Sequence, residues 1–164
     1  MTPKEFIDKV KNIDFRAIAY MVLERHNEDL VWVQKSQLWA GRNLDGTLLT
    51  PSILNDPYFK TPKQAQAWSN YKDKQTQWRD DPDFGARPKG TPNLIFTTGE
   101  VVWEPLTTRF TGSGVFLGTE FSIENELEDK YGEIFGLNPQ GVKYVLENWF
   151  YDEFSIEVYK QLLN

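Results

Sequence analysis

Apolar residues recur at steps of three and four along the first part of the chain: Phe15, Ile18, Ala19, Val22, Leu23, His26, Leu30 and Val33. That period predicts one amphipathic helix over about 14–36, with Asp14 as its N-cap. Ahead of it, Thr2-Pro3-Lys4-Glu5 reads as a capping box with proline at the first helical position, and Phe6, Ile7 and Val10 give a short apolar stripe. Thr61-Pro62-Lys63-Gln64 is a second box of the same kind. It opens a surface helix whose apolar positions are Ala65, Trp68, Tyr71 and Trp78. Asn138-Pro139 starts the last helix by the same logic, and Val142, Val145, Leu146, Trp149, Phe150, Phe154, Val158, Tyr159 and Leu162 carry it to the C-terminus.

Between these helices the period changes. Residues 93–137 stop reading as helix and read as strand, and the rest of the chain is organised around them. Val101 to Phe110 favours strand through β-branched and aromatic residues, with Pro105 marking an edge or bulge. Thr111-Gly112-Ser113-Gly114 is a hairpin turn and Val115–Thr119 the return strand. Residues 121–131 resume helix, and Gly132 and Gly136 bracket a tight connection. Two segments read as irregular. One is 38–47, with an Asp45-Gly46 turn. The other is 79–92, whose three prolines and two glycines leave no room for regular structure. A long loop of that kind is expected to bind or to order against a neighbour in an assembly. The expectation is a single α+β domain over 1–164, several helices packed on a small antiparallel sheet or hairpin.

Composition narrows the function classes. The chain has 164 residues and no cysteine, which removes disulfides, thiolate metal sites and cysteine nucleophiles. No signal-peptide pattern opens the sequence, and no apolar run approaches the roughly 20 residues that span a bilayer, so no membrane partner is expected. The net charge of −6 is uneven: from Gly118 to Asn164 ten acids face three bases. An acidic C-terminal third argues against nucleic-acid binding and fits either a solvated helix surface or a face that docks on a basic partner. Aromatics make up 15% of the chain and include six Trp; most are expected in the core, and a surplus of Trp and Tyr in a small domain also points to a protein interface.

Candidate chemistry is sparse. His26 is the only histidine and sits on the apolar side of its helix, where a packed role is the simpler reading. Asp45-Gly46 lacks the several oxygen ligands at fixed spacing that a calcium loop requires. Glu124, Glu126, Glu128 and Asp129 cluster, but carboxylates on a helix surface have no tuned pKa. Gly112-Ser113-Gly114 lies between two strands, without the following helix of a phosphate loop. The sequence therefore offers no catalytic, cofactor or metal residues. Trp149, Phe150, Tyr151 and Phe154 crowd one stretch of the last helix; on one straight helix they cannot all face one core, so they are the candidate interface.

Several short motifs resemble small structural proteins of tailed bacteriophages and prophages, of the neck, head–tail joining or tail-completion type. These are Asn43-Leu44-Asp45-Gly46, Asn93-Leu94-Ile95-Phe96-Thr97-Thr98-Gly99 leading into the hairpin, Lys130-Tyr131-Gly132 and Ile134-Phe135-Gly136-Leu137. They cover about 40–137, and the flanking helices follow the same layout. Two features depart from the pattern: 55–92 is longer, and Glu100-Val101-Val102 stands where an acid followed by an aromatic is expected. The resemblance implies a non-enzymatic virion component made in a bacterial cytoplasm. It would act as a repeated subunit of a ring beside portal, neck or tail proteins, and no catalytic residue or cofactor comes with it. Two other classes remain open: a phage-borne hydrolase using Glu residues, and a carbohydrate- or protein-binding module with exposed aromatics.

Overall fold

The computed structural model describes residues 2–74, 80–81, 83–86, 106–111, 114–119 and 123–163. Seven α-helices and two short antiparallel hairpins follow among them: α1 (Pro3–Asn12), α2 (Phe15–Arg25), α3 (Asn27–Trp39), α4 (Pro62–Lys74), β1 (Asp80–Asp81), β2 (Gly85–Ala86), β3 (Leu106–Thr111), β4 (Gly114–Thr119), α5 (Ile123–Tyr131), α6 (Pro139–Val145) and α7 (Tyr151–Leu163). A 3-10 turn, Ile53–Asn55, precedes α4. A π-helical turn, Leu146–Phe150, joins α6 to α7. The class is the expected α+β, with helices predominating over a small hairpin.

The predicted helix starts hold. Thr2 and Glu5 form the reciprocal capping box, with Glu5 N–H donating to Thr2 Oγ1 and Thr2 N–H to Glu5 Oε2. Asp14 Oδ1 accepts from Ala17 N–H at 2.9 Å, and Asn138 Oδ1 from Gly141 N–H at 2.9 Å. Thr61 Oγ1 accepts from Gln64 N–H at the start of α4.

The helix expected over 14–36 is two helices that meet at a corner. His26 has φ −108° and ψ 28°, outside the helical region, and its carbonyl accepts from Leu30 N–H to open α3. The reason is packing. The corner lets Ile18 and Val22 of α2 close against Leu162 of α7, while Leu30 and Val33 of α3 turn to Val145 of α6 and to the hairpin. Helix α3 then runs to Trp39, past the expected end. It stops in a Schellman arrangement: Gly41 takes φ +66°, and the N–H groups of Gly41 and Arg42 donate to the carbonyls of Leu38 and Gln37.

Helix α3 is the spine of the molecule. Leu30, Val33, Gln34, Gln37, Leu38 and Trp39 are all buried, so it is enclosed on more than one side. One flank meets Val145, with Phe110, Val115, Leu117 and Leu137 packed around it. The far end meets Leu49, Leu106, Leu127 and Ile134. Burying an aliphatic side chain such as Ile134 stabilises the fold by about 1.5–3 kcal/mol. The stretch 93–137 is thus organised on α3 through its final residues; 93–105 lie outside the described residues.

The hairpin obeys the strand period. Leu106, Thr108 and Phe110 alternate with the exposed Thr107 and Arg109. Phe110 pairs with Val115 and Thr108 with Leu117, so Val115 and Leu117 share the inner face. Phe116, opposite Arg109, is 51% exposed on the outer face. Thr111 Oγ1 closes the turn by accepting from Gly114 N–H.

The segment 79–92 was expected to be irregular throughout. Instead Asp80 and Asp81 pair antiparallel with Ala86 and Gly85. Gly85 has φ +69°, a left-handed conformation that lets the chain reverse despite the neighbouring proline.

Candidate interaction surfaces and the polar nodes that position them

Two glutamines one helical turn apart fix the segment that follows α5. Gln34 Nε2 donates to the Ile134 carbonyl at 2.9 Å, and Gly136 N–H donates to Gln34 Oε1 at 2.6 Å. Gln37 Oε1 accepts from Asn138 N–H at 2.8 Å, while Gln37 Nε2 reaches the same Ile134 carbonyl at 3.5 Å. Gln34, Gln37 and Asn138 are all buried, so these amides satisfy backbone groups that water does not reach. Leu44 N–H adds a bond to the Glu133 carbonyl at 2.9 Å. The approach is close: a Cβ on Gly136, which has φ +123°, would lie 2.8 Å from Leu44 Cδ1, and one on Gly141 3.0 Å from Val33 Cγ1. The Ile134-Phe135-Gly136-Leu137 motif is therefore a clasp, with glycine where the backbone must turn left-handed against a side chain. Lys130-Tyr131-Gly132 is structural too. Lys130 Nζ meets Asp56 Oδ2 at 2.6 Å, burial pushes the Tyr131 phenol up, and Gly132 turns the chain at φ +76°.

The second node is His26. Its Nδ1 lies 2.7 Å from Asp29 Oδ2 and its Nε2 2.7 Å from Glu153 Oε1. The ring stacks on Trp149 with centroids 4.0 Å apart and planes 11° from parallel. Partial burial works to lower its pKa, but the hydrogen bonds to Asp29 and Glu153 outweigh it and hold the imidazole above its ordinary value. A packed role was expected; a paired charge joining α3 to α7 was not. Its signal lay in Glu153, more than a hundred residues away in sequence.

Three of the four candidate interface residues are half-buried against the core of their own chain. Trp149, Phe150 and Phe154 pack on Ile18, Val22 and Leu162, and Phe150 stacks on Phe154 at 5.4 Å. The π turn is the reason. It fits one more residue into the turn than an α-helix would, so Trp149 and Phe150 both pack against the core, half-buried. Tyr151 is the one left outside, 57% exposed. It lines an open apolar groove of about 500 Å³ with Leu44, Leu137, Val142 and Leu146.

A second open groove, about 640 Å³, runs beside α4 between Tyr58, Phe59, Trp68 and Tyr71. Tyr58 is 81% exposed, and Trp68 and Tyr71 stack at 5.6 Å. The buried face of α4 is Ala65, Ser69 and Lys72, one step round from the expected one, which is why Tyr71 is turned outward. Trp78 lies outside the described residues. A third groove, about 600 Å³, separates Trp32 and Lys35 of α3 from Thr107 and Thr108 of β3, with Phe84 at its edge. Phe84 lies against Trp32 and Trp39, and Trp39 Nε1 donates to the Gly85 carbonyl. The described part of 79–92 is thus docked on its own α3 and does not reach outward. The hairpin tip at Gly112 lies outside the described residues.

The remaining candidates are surface features. Glu126 and Asp129 are exposed and Glu128 half-buried. Hydrogen bonds from the Thr47 backbone and hydroxyl, helped by Asn43, hold the exposed Asp45 carboxyl below its usual range. Among the described residues no group of three or more His, Cys, Asp or Glu could hold a metal ion, and no helix is long and apolar enough to cross a membrane. No protein-family model, curated protein or solved structure matches the chain.

Proposed function

We propose that the chain is a non-enzymatic virion structural protein. In this reading it is a ring subunit at the neck, head–tail connector or tail-completion position of a tailed phage, beside portal, neck or tail proteins. The observation that carries the reading is the presence of two exposed aromatic surfaces that share no residue. The groove beside α4 carries Tyr58, Trp68 and Tyr71, with Lys60 and Lys63 exposed around it. The exposed side of α6, the π turn and α7 carries Tyr144, Tyr151, Ile156 and Tyr159, with Lys143, Glu147, Asp152 and Lys160 among them. A ring assembled head to tail needs two unlike, complementary surfaces on each copy. Aromatic anchors inside a polar rim are the composition that such contacts use. The motif resemblance points the same way.

The test is the mass in solution across concentration, by light scattering after size exclusion. A discrete ring or concentration-dependent growth is expected. Tyr58→Ser and Tyr151→Ser should each abolish it alone, since each removes one surface. Mixed, the two variants should form a one-to-one dimer and nothing larger, because one intact contact remains between them. A monomer at every concentration, with the protein also absent from particles released by the strain that carries its gene, would sink the reading.

One observation favours a second reading. The stacked Trp68–Tyr71 pair in an open groove is also the shape of a sugar-binding platform. A monomer that binds glycans, and loses them on Trp68→Ala, would support that module instead. A Glu-based hydrolase would require two acids across a cleft. Among the described residues the buried polar side chains are Gln34, Gln37, Ser69, Lys72 and Asn138, none of them a carboxylate.

A further inference from the structure

We propose that His26 is a pH-sensitive pin: as an imidazolium it holds the π turn of the final helix against the α2–α3 corner, and on losing a proton it lets that turn go. The argument begins with donors and acceptors. A carboxylate accepts and cannot donate, and a neutral imidazole has only one N–H. Both ring nitrogens of His26 lie 2.7 Å from carboxylate oxygens, Asp29 on one side and Glu153 on the other. Only the doubly protonated ring can donate to both. A neutral ring would leave a nitrogen lone pair facing a carboxylate oxygen.

The surrounding charges fit the cation. From α2, Arg25 Nη1 lies 2.9 Å from Glu157 Oε1 and 3.7 Å from Glu153 Oε2. From α3 comes Asp29, and from α7 come Glu153, Glu157 and Lys160, with Lys160 Nζ 3.0 Å from Glu157. Glu147, the one charged residue of the π turn, lies outside this group, 3.8 Å from Lys143. Glu153 and Glu157 thus face Arg25 and Lys160, Asp29 faces only His26, and the imidazolium balances the third carboxylate.

What the ring holds is Trp149. The indole lies flat against the imidazolium, an attraction that weakens when the ring charge is lost. Its Nε1 is buried with no hydrogen-bond partner, so no hydrogen bond anchors the indole where it sits. It belongs to a π turn, a rare geometry held in place by the packing of the side chains it serves. A cation on one face, an unpartnered N–H and a π turn together make a two-state element that one proton can bias. Because the paired carboxylates raise the His26 pKa despite burial, the pin is closed below the ordinary 6.5 and opens as pH rises through the raised value.

The test does not depend on the virion reading. His26 is the only histidine, so its ring C–H signal in a proton spectrum of the intact chain is unambiguous. Its titration midpoint should lie above the ordinary 6.5, and the Trp149 indole N–H signal, assigned with Trp149→Phe, should shift with the same midpoint. Glu153→Gln should lower both midpoints together, and His26→Gln should leave the indole signal flat across that range. If Glu153→Gln does not fold, Asp29→Asn, which removes the more exposed carboxylate, makes the same measurement. A His26 midpoint at or below the ordinary value, or an indole signal indifferent to it, would overturn the proposal.

Discussion

Two fastenings join the C-terminal part of the chain to the α2–α3 arm, and they are built in opposite ways. The Gln34–Gln37 clasp uses neutral amides, fully buried, each bonded to backbone groups of residues 134–138. The His26 pin uses charges, partly exposed, bonded to the side chains of Asp29 and Glu153. A buried amide costs a great deal when its partner is removed and is indifferent to pH. A half-exposed ion pair is screened by solvent, costs little to break and follows the protonation of its members. The clasp therefore sets whether the chain folds, and the pin sets in what state the final helix sits.

Removing the clasp should have the largest effect. Gln34→Ala strands the Gly136 N–H without a partner, at about 1–3 kcal/mol, and leaves the Ile134 carbonyl only the longer bond from Gln37 Nε2. Urea denaturation should show the loss, unchanged in size between acidic and alkaline buffers. Gly136→Ala keeps the amides but forces a left-handed backbone on a residue with a Cβ and pushes Leu44 aside. It should cost about 1–3 kcal/mol by the same measurement.

The pin should show a smaller effect with a different signature. The folded pKa of His26 is raised, so its contribution to stability is complete below 6.5 and is lost as pH rises through the folded value. The Glu157 carboxyl is lowered, through its hydrogen bonds to Lys160 and Arg25, so its contribution is present above 4.5 and is lost as pH falls through the folded value. The urea midpoint of the native protein should decline on the alkaline side of 6.5, and that of His26→Gln should not. The smallest effect is expected from Lys143→Ala, which breaks an exposed pair with Glu147 at 3.8 Å and should stay within about 0.5 kcal/mol.

Local rules made part of this legible in the sequence. Capping chemistry is local, so Thr2, Asp14, Thr61 and Asn138 announce their helices without any tertiary information. The hairpin over 106–119 was visible for the same reason, because alternation and a turn act over a few residues. The corner at His26 was not, since a continuous 3.6-residue period is compatible with one helix or with two. The π turn was hidden because one added residue leaves no mark in composition; it changes only which of Trp149, Phe150 and Tyr151 face inward. Gln34 and Gln37 left a faint signal: two amides on the same side as Leu30 and Val33, where apolar residues would be expected. Tyr58 and Phe59 of the α4 groove lie in a non-helical segment, where no periodicity separates buried from exposed.

The clasp also has a consequence for how the protein is made. Gln34 waits for the carbonyl of Ile134, 100 residues later in the chain. At roughly 5–20 residues per second, a ribosome delivers that partner about 5–20 seconds after α3 has emerged. Through that interval the spine of the molecule stands with its amides and apolar flanks uncovered, a substrate for chaperones before its own partners have been made.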